Sequence, residues 1–565
     1  MFSSKAIFKA LLVGFILAGS AYFIAKLNLF GMESASDRFA DGAYQRVTAG
    51  QYGRAHARGQ KAISVVYLNE RSLETMKGFG WNRFPPSYDQ QWMMFEDLLL
   101  VGGGPPKAIF ADFVYLGRGG VAMGGGDIEG FPAFRDGVAA ATKAEVWGAT
   151  SWCHADPLRK LACIAAADGT PMIFAKPAPT DLEQFTEVQK ALDAVTVLAP
   201  VMVRPGAYPI KTTYPELDDP AALGVRGFDI PPAVAMYAAW CLKTLQAQGC
   251  DPGYATLLAA AKDAIAGKAP GAVPDVLAQF PAPMDVVWGN RPHPRQAALT
   301  QATTGREETC RGAREPGVLQ RLWEQVAVLR GPGEGLMHEC LYNLNIGYDR
   351  LVGGQGLTQE DLGGLLKDRM LIVGGHFRAS SDWVESPVHG QVPGVEYHAM
   401  ALDNLIEFGP NYRRNATAFV DSDFLKSVLI FALAVAGVLA VMWRNSLYDS
   451  LPKGERLKFR FYAPLYLTMF AVSAGAVLLV TWIGVTVGRA SPINWIGLTT
   501  VVVGFLLFAT HDAITDDIRG SLERFAIPRK TLNAIRGFFD FLKFDDDRLL
   551  KPVKAKVAEK ESSDA

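Results

Sequence analysis

The sequence predicts an α/β extracytoplasmic domain, a central mixed sheet flanked by helices, carried on four transmembrane α-helices. Three observations predict it. Four long runs are nearly free of charge, strand patterns alternate with helical ones between the first two runs, and all six cysteines fall in that same stretch.

The first run, ALLVGFILAGSAYFIA, lies within residues 10–30 and follows Lys5 and Lys9. It fits a signal anchor, because apolar character resumes after Lys26 with Leu27, Leu29 and Phe30. A lysine near a helix end can snorkel to the interface. A cleaved signal peptide is the rival reading, since small residues follow at Ser34, Ala35 and Ser36. The other runs span residues 427–443, 461–487 and 493–510. Each approaches the ~20 apolar residues that cross a hydrocarbon core. Backbone groups find no water there, so each run must be a helix.

Flanking cations orient the chain. Arg444, Lys453, Arg456, Lys458 and Arg460 follow the second run, whereas only Arg489 lies between the third and fourth. Residues 1–9 and 511–565 are therefore expected in the cytoplasm and residues 31–423 outside it. The cysteines are Cys153, Cys163, Cys241, Cys250, Cys310 and Cys340, all in the outside stretch. An even number on an oxidising side suits disulfides. The simplest framework joins sequence neighbours, Cys153–Cys163, Cys241–Cys250 and Cys310–Cys340. No CxxC spacing supports zinc. A net charge of −1 gives no reason to expect nucleic acid.

A stretch as long as 31–423 must fold. AISVVYL at 62–68 and AIFADFVY at 108–115 read as strands, and residues 87–101 have helical apolar spacing. Residues 144–148 and 172–175 are weaker strands, and 195–203 includes another. Residues 232–248 read as a helix, 286–288 as a short strand and 370–373 as the last core strand. This alternation predicts a sheet covered by helices.

Chemical motifs are sparse. Gly117, Gly119 and Ala122 follow a strand, as in half of a dinucleotide fingerprint, but Gly124, Gly125 and Gly126 break the helix that motif requires. They read as a loop. His376, His389 and His398 lie near Asp382 and Glu385 without metal-ligand spacing, so a structural or ligand-contacting role is expected. No GxSxG elbow, P-loop, kinase or cyclase signature occurs, and no cofactor or enzymatic activity is implied. Gly484 and Gly488 form a GxxxG pair suited to helix association in a homo-oligomer, a spacing that chance also produces.

Two stretches of the outside domain resemble the second type of CHASE domain, the cyclase- and histidine-kinase-associated sensory extracellular family. The first is AISVVYLNERSLETMKGFGWNRFPPSY followed by PPKAIFADFVYLG, where the family's acidic pair, aromatic–Arg turn and strand Asp fall at Asn69 and Glu70, Trp81 and Arg83, and Asp112. The second is DRMLIVGGHFRASSDWVESPVHGQVPGVEYHAMALDNL. It is similar to the family's end motif at Gly374, Asp382, Pro387, Pro393, Gly394, Val395, His398 and Ala399. Asn69 departs from the acidic pair, Ser386 stands where the family often has Thr, and Leu405 follows Asn404 directly. The cysteine-bearing stretch 150–345 is elaboration beyond the resemblance.

The resemblance implies a sensor. Open α/β sheets bind ligands beyond the C-terminal ends of their strands, so Arg83, Asp112, His376, Asp382 and His398 are expected around one cleft. They would contact a small-molecule or envelope ligand, or else Asp382 and His398 would only anchor a loop. Family members often carry a catalytic module after the last membrane helix, but only about 55 residues follow here. In that tail Leu532, Ile535, Phe538, Phe539 and Leu542 share one helical face after Pro528. Such a helix suits the membrane surface, with lipid beneath it, or a groove on a signalling partner, or it packs on the chain's own loop. The function expected is a membrane sensor or accessory subunit acting through a separate partner. A scaffold in an envelope assembly is the alternative, and a periplasmic enzyme comes third.

Overall fold

The computed structural model describes residues chiefly within 41–113, 152–176, 197–213, 228–250, 280–299 and 341–414. Among the described residues no helix is long and apolar enough to cross a membrane. Apart from isolated positions, the four apolar runs and the tail lie outside the described residues, as do residues 114–115, 144–148, 245–248 and the 117–126 loop. Ser34–Ser422, with Thr481–Asn494, form one compact unit; Met1–Glu33, Asp423–Val480 and Trp495–Ala565 form another.

The 34–422 unit is built on a six-stranded sheet. Its strands are β1 Ile63–Asn69, β2 Ala108–Ala111, β3 Met172–Lys176, β4 Val197–Pro200, β7 Leu344–Gly347 and β8 Met370–His376. Their order is β4-β3-β2-β8-β1-β7. Every pairing in it is parallel, which corrects the expected mixed sheet. Among the described residues two ribbons are antiparallel, β5 Thr212–Thr213 with β6 Phe228–Asp229 and β9 Trp383–Ser386 with β10 Gly390–Pro393. Parallel strands need crossovers, whose helices then cover both faces of the sheet. That is why β1 reads ISVVYLN and is buried from Ile63 to Leu68 without alternation.

The helices are α1 Arg58–Ala62, α2 Glu70–Met76, α3 Tyr88–Leu100, α4 Pro157–Ala166, α5 Pro232–Lys243, α6 Tyr348–Val352, α7 Gln359–Leu366 and α8 Gly394–Phe408. One sheet face carries Val65, Tyr67, Phe110 and Ile372 and packs on α5 and α8. The other carries Val66, Leu68, Ile109 and Leu371 and packs on α3, α4, α6 and α7. Local signals start these helices where they start. Pro232 occupies the first turn of α5. Asn69 caps α2 by accepting from Ser72 N at 2.8 Å. Thr358 and Asp361 form a capping box on α7.

Two disulfides close local loops, Cys153–Cys163 with Cα atoms 5.9 Å apart and Cys241–Cys250 at 5.4 Å. Cys310 lies outside the described residues, as does Cys340. The strand expected at 286–288 is not one. Met284 makes isolated bridges to Tyr208 and Arg414. Val287 instead pairs with a side chain: its N–H donates to Asn404 Oδ1 at 2.9 Å, and its carbonyl accepts from Asn404 Nδ2 at 2.9 Å. The primary amide imitates one rung of a ladder, so no strand is needed there.

A candidate sensory site at the C-terminal edge of the sheet

The central strands end side by side. Tyr67 pairs with Gly374 and Asn69 with His376. The chain leaves β2 at Asp112, whose N–H donates to Val373 O at 2.8 Å. The β9–β10 hairpin then delivers the chain to α8, whose first turn lies over this edge. Ser386 shapes the hairpin by accepting from Val388 N and His389 N at 3.3 and 3.2 Å.

Two glycines allow the close approach. A Cβ on Gly374 would lie 3.0 Å from Val395 Cβ, so a methyl there would press the first turn of α8 back by a few tenths of an ångström. A Cβ on Gly394 would overlap the Asp382 carboxylate, and Gly394 N–H donates to Asp382 O at 3.0 Å. Sheet, hairpin and helix therefore meet with carboxyl groups between them.

Glu396, in the first turn of α8, is 1% exposed. Tyr67 Oη donates to its carboxylate. Burial pushes that carboxyl up to about 8, and the hydrogen bond from Tyr67 pulls the other way. Burial, and after it the charge of Glu396, raises the Tyr67 phenol well above its ordinary range. Asp112 keeps part of its surface open, yet burial holds its carboxyl well above the carboxylate range, with the charge of Asp382 adding to it. Asp382 is raised too, also by burial. It is an exposed residue despite that desolvation.

Aromatic rings wall the edge. His376 lies 5.0 Å from the Tyr67 ring and 5.6 Å from Trp383. Phe84 packs on Phe377 at 4.4 Å and on Phe113 at 5.9 Å. Desolvated carboxyls beside aromatic faces suit protons or a cationic group.

Of the five site residues expected from sequence, Asp112 and Asp382 meet and His376 lies on the same edge. His398 is different. It is 2% exposed, one turn further along α8, with Nδ1 2.8 Å from Tyr208 Oη and its ring 5.4 Å from Phe110. Burial pushes it down to about 3, so it is a neutral core imidazole. Arg83 lies outside the described residues. His389 turns away, with Nε2 2.8 Å from Gly289 O. Among the described residues no three His, Cys, Asp or Glu side chains are placed to hold a metal. Sequence reasoning missed Glu396 and Tyr67. Glu396 stands inside the quoted PGVEYHA segment, but an acidic residue in a helix's first turn is ordinary and gave no signal of its burial.

No curated protein and no solved structure matches the chain. The family model of the CHASE2 domain matches residues 344–439. Of the described elements, that span holds β7, α6, α7, β8, the β9–β10 hairpin and α8. The carboxyl-lined edge thus lies within or against a segment that is similar to the CHASE2 domain, the type-two CHASE sensory extracellular domain.

Proposed function

We propose that the chain is a sensory subunit of the bacterial inner membrane. Its 34–422 unit lies on the periplasmic side and detects a cue at the carboxyl-lined sheet edge. It relays that cue through the membrane helices to a separate signalling partner. One observation carries this reading: the CHASE2 match covers β8, the hairpin and α8, the elements that assemble the edge. The two disulfides support an oxidising compartment. The amphipathic tail helix expected at 531–544 supports docking to a partner or to lipid.

Reporter fusions and one substitution test the reading. Alkaline phosphatase fused after Arg413 should be active, and fused after Lys530 inactive; the reverse pattern ends the proposal. In cells, Asp382→Asn should alter the output of the protein that co-purifies with the chain. An unaltered output, with the variant folded and inserted, counts against the edge as the sensing site.

A further inference from the structure

Two segments of the outside unit lead toward the expected membrane spans. The entry segment runs through residues 41–62, and the exit segment through α8 to Arg414. They are tied together at several points. Tyr52, 8% exposed, donates through Oη to Asp403 Oδ1 at 2.6 Å and accepts from Asn404 Nδ2 at 3.1 Å. Gly59 N–H donates to Glu407 Oε1 at 2.9 Å, and Arg58 donates to Glu407 O at 2.7 Å. Arg413, 5% exposed, bridges Asp41 at 3.1 Å and Asp285 at 2.6 Å. Asp403 and Asn404 are fully buried. The first turn of the same helix carries Glu396 at the sheet edge.

We infer that these contacts form a clamp that makes the entry and exit segments move as one, with α8 as the lever that carries a change at the sheet edge to both. The inference rests on the sensory reading only for what drives the lever. Buried, hydrogen-bonded links resist separate motion because parting them leaves Asp403 or Arg413 unpaired out of water. A rigid helix held at both ends transmits displacement rather than absorbing it. The signal then reaches the first and second membrane spans together.

Amide hydrogen exchange on the full chain in lipid nanodiscs tests the clamp. Gly374→Ala presses on the first turn of α8 and loosens its seat by a few tenths of an ångström, because its Cβ would meet Val395 at 3.0 Å. Glu396→Gln, nearly isosteric, is the second perturbation and tightens the same turn by removing an acid that loses its proton when the turn opens. Gly374→Ala should raise exchange at residues 403–408 and 52–61 together, and Glu396→Gln should lower both, by about fivefold or more. With Tyr52→Phe and Arg58→Met added, the response at 52–61 should fall well below that at 403–408, since the Gly59–Glu407 bond is the chief link left between them. Exchange at 52–61 that ignores both perturbations, or that responds as strongly with those two links cut, overturns the inference. A clamp that transmits in a chain whose partner output ignores Asp382→Asn sustains the inference and removes the sensory reading instead.

Discussion

Glu396→Gln should make the protein more stable, and increasingly so with rising pH. The Glu396 carboxyl stands at about 8 in the fold against an ordinary value of 4.5. A carboxyl whose folded value is raised binds its proton more tightly folded than unfolded, so stability falls as pH climbs from 4.5 to 8. Below pH 4 both states are protonated and nothing is lost. At pH 7 the unfolded chain has released the proton and the fold has mostly kept it. The penalty there is roughly 3 kcal/mol, growing to about 5 kcal/mol above pH 9. Glutamine keeps an acceptor for Tyr67 Oη and carries no charge to desolvate, so the variant escapes the penalty. Guanidinium unfolding of the full chain in detergent, at pH 4, 7 and 9, reads the difference. Equal stabilities at pH 4 that diverge with pH sustain the argument. A difference constant across pH, or a wild type that is the more stable at pH 9, refutes it.

Other outcomes follow from the same geometry. His398, held near 3 against an ordinary 6.5, should cost stability as pH falls from 6.5 to 3, because the unfolded chain takes up a proton the fold refuses. His398→Gln, which keeps a partner for Tyr208, should flatten that acid limb in the same unfolding series. Arg413→Met should destabilise by about 3–5 kcal/mol by stranding Asp285 and Asp41, and Asp285→Asn in that background should recover part of the loss. Opening Cys153–Cys163 by Cys163→Ser should cost about 2–3 kcal/mol for a loop closed over a separation of 10. Non-reducing peptide mapping that finds both cysteines as free thiols would remove that prediction.

Much of the frame was legible because it depends on local chemistry. The runs at 63–69 and 370–376 are apolar and rich in branched residues, so they could only be buried strands. The helices at 88–100 and 232–243 announce themselves by apolar spacing and, for the second, by Pro232 at its start. Cysteines ten and nine residues apart could close only short loops, and those loops are closed. Leu344–Gly347 was not legible. LNIG contains two residues that disfavour strands, and it pairs with β1 only because that neighbour offers a free edge.

What tertiary structure alone decided is which side chains meet. Residues 286–288 carry a strand's composition, but Asn404, 117 positions later, supplies the rung that a strand would have supplied. Tyr67 and Glu396 stand 329 positions apart. Nothing near either one distinguishes a phenol that anchors a buried acid from a core tyrosine. They meet because β1 and β8 align Tyr67 with Gly374, and a missing Cβ at Gly374 lets the first turn of α8 settle on the sheet. Sequence by itself determined the periods and the two near-neighbour cysteine pairs Cys153–Cys163 and Cys241–Cys250, all read within about ten residues of one another. Register and close approach depend on the whole sheet being assembled, and so the desolvation that changes a carboxyl's chemistry is a property of the fold alone.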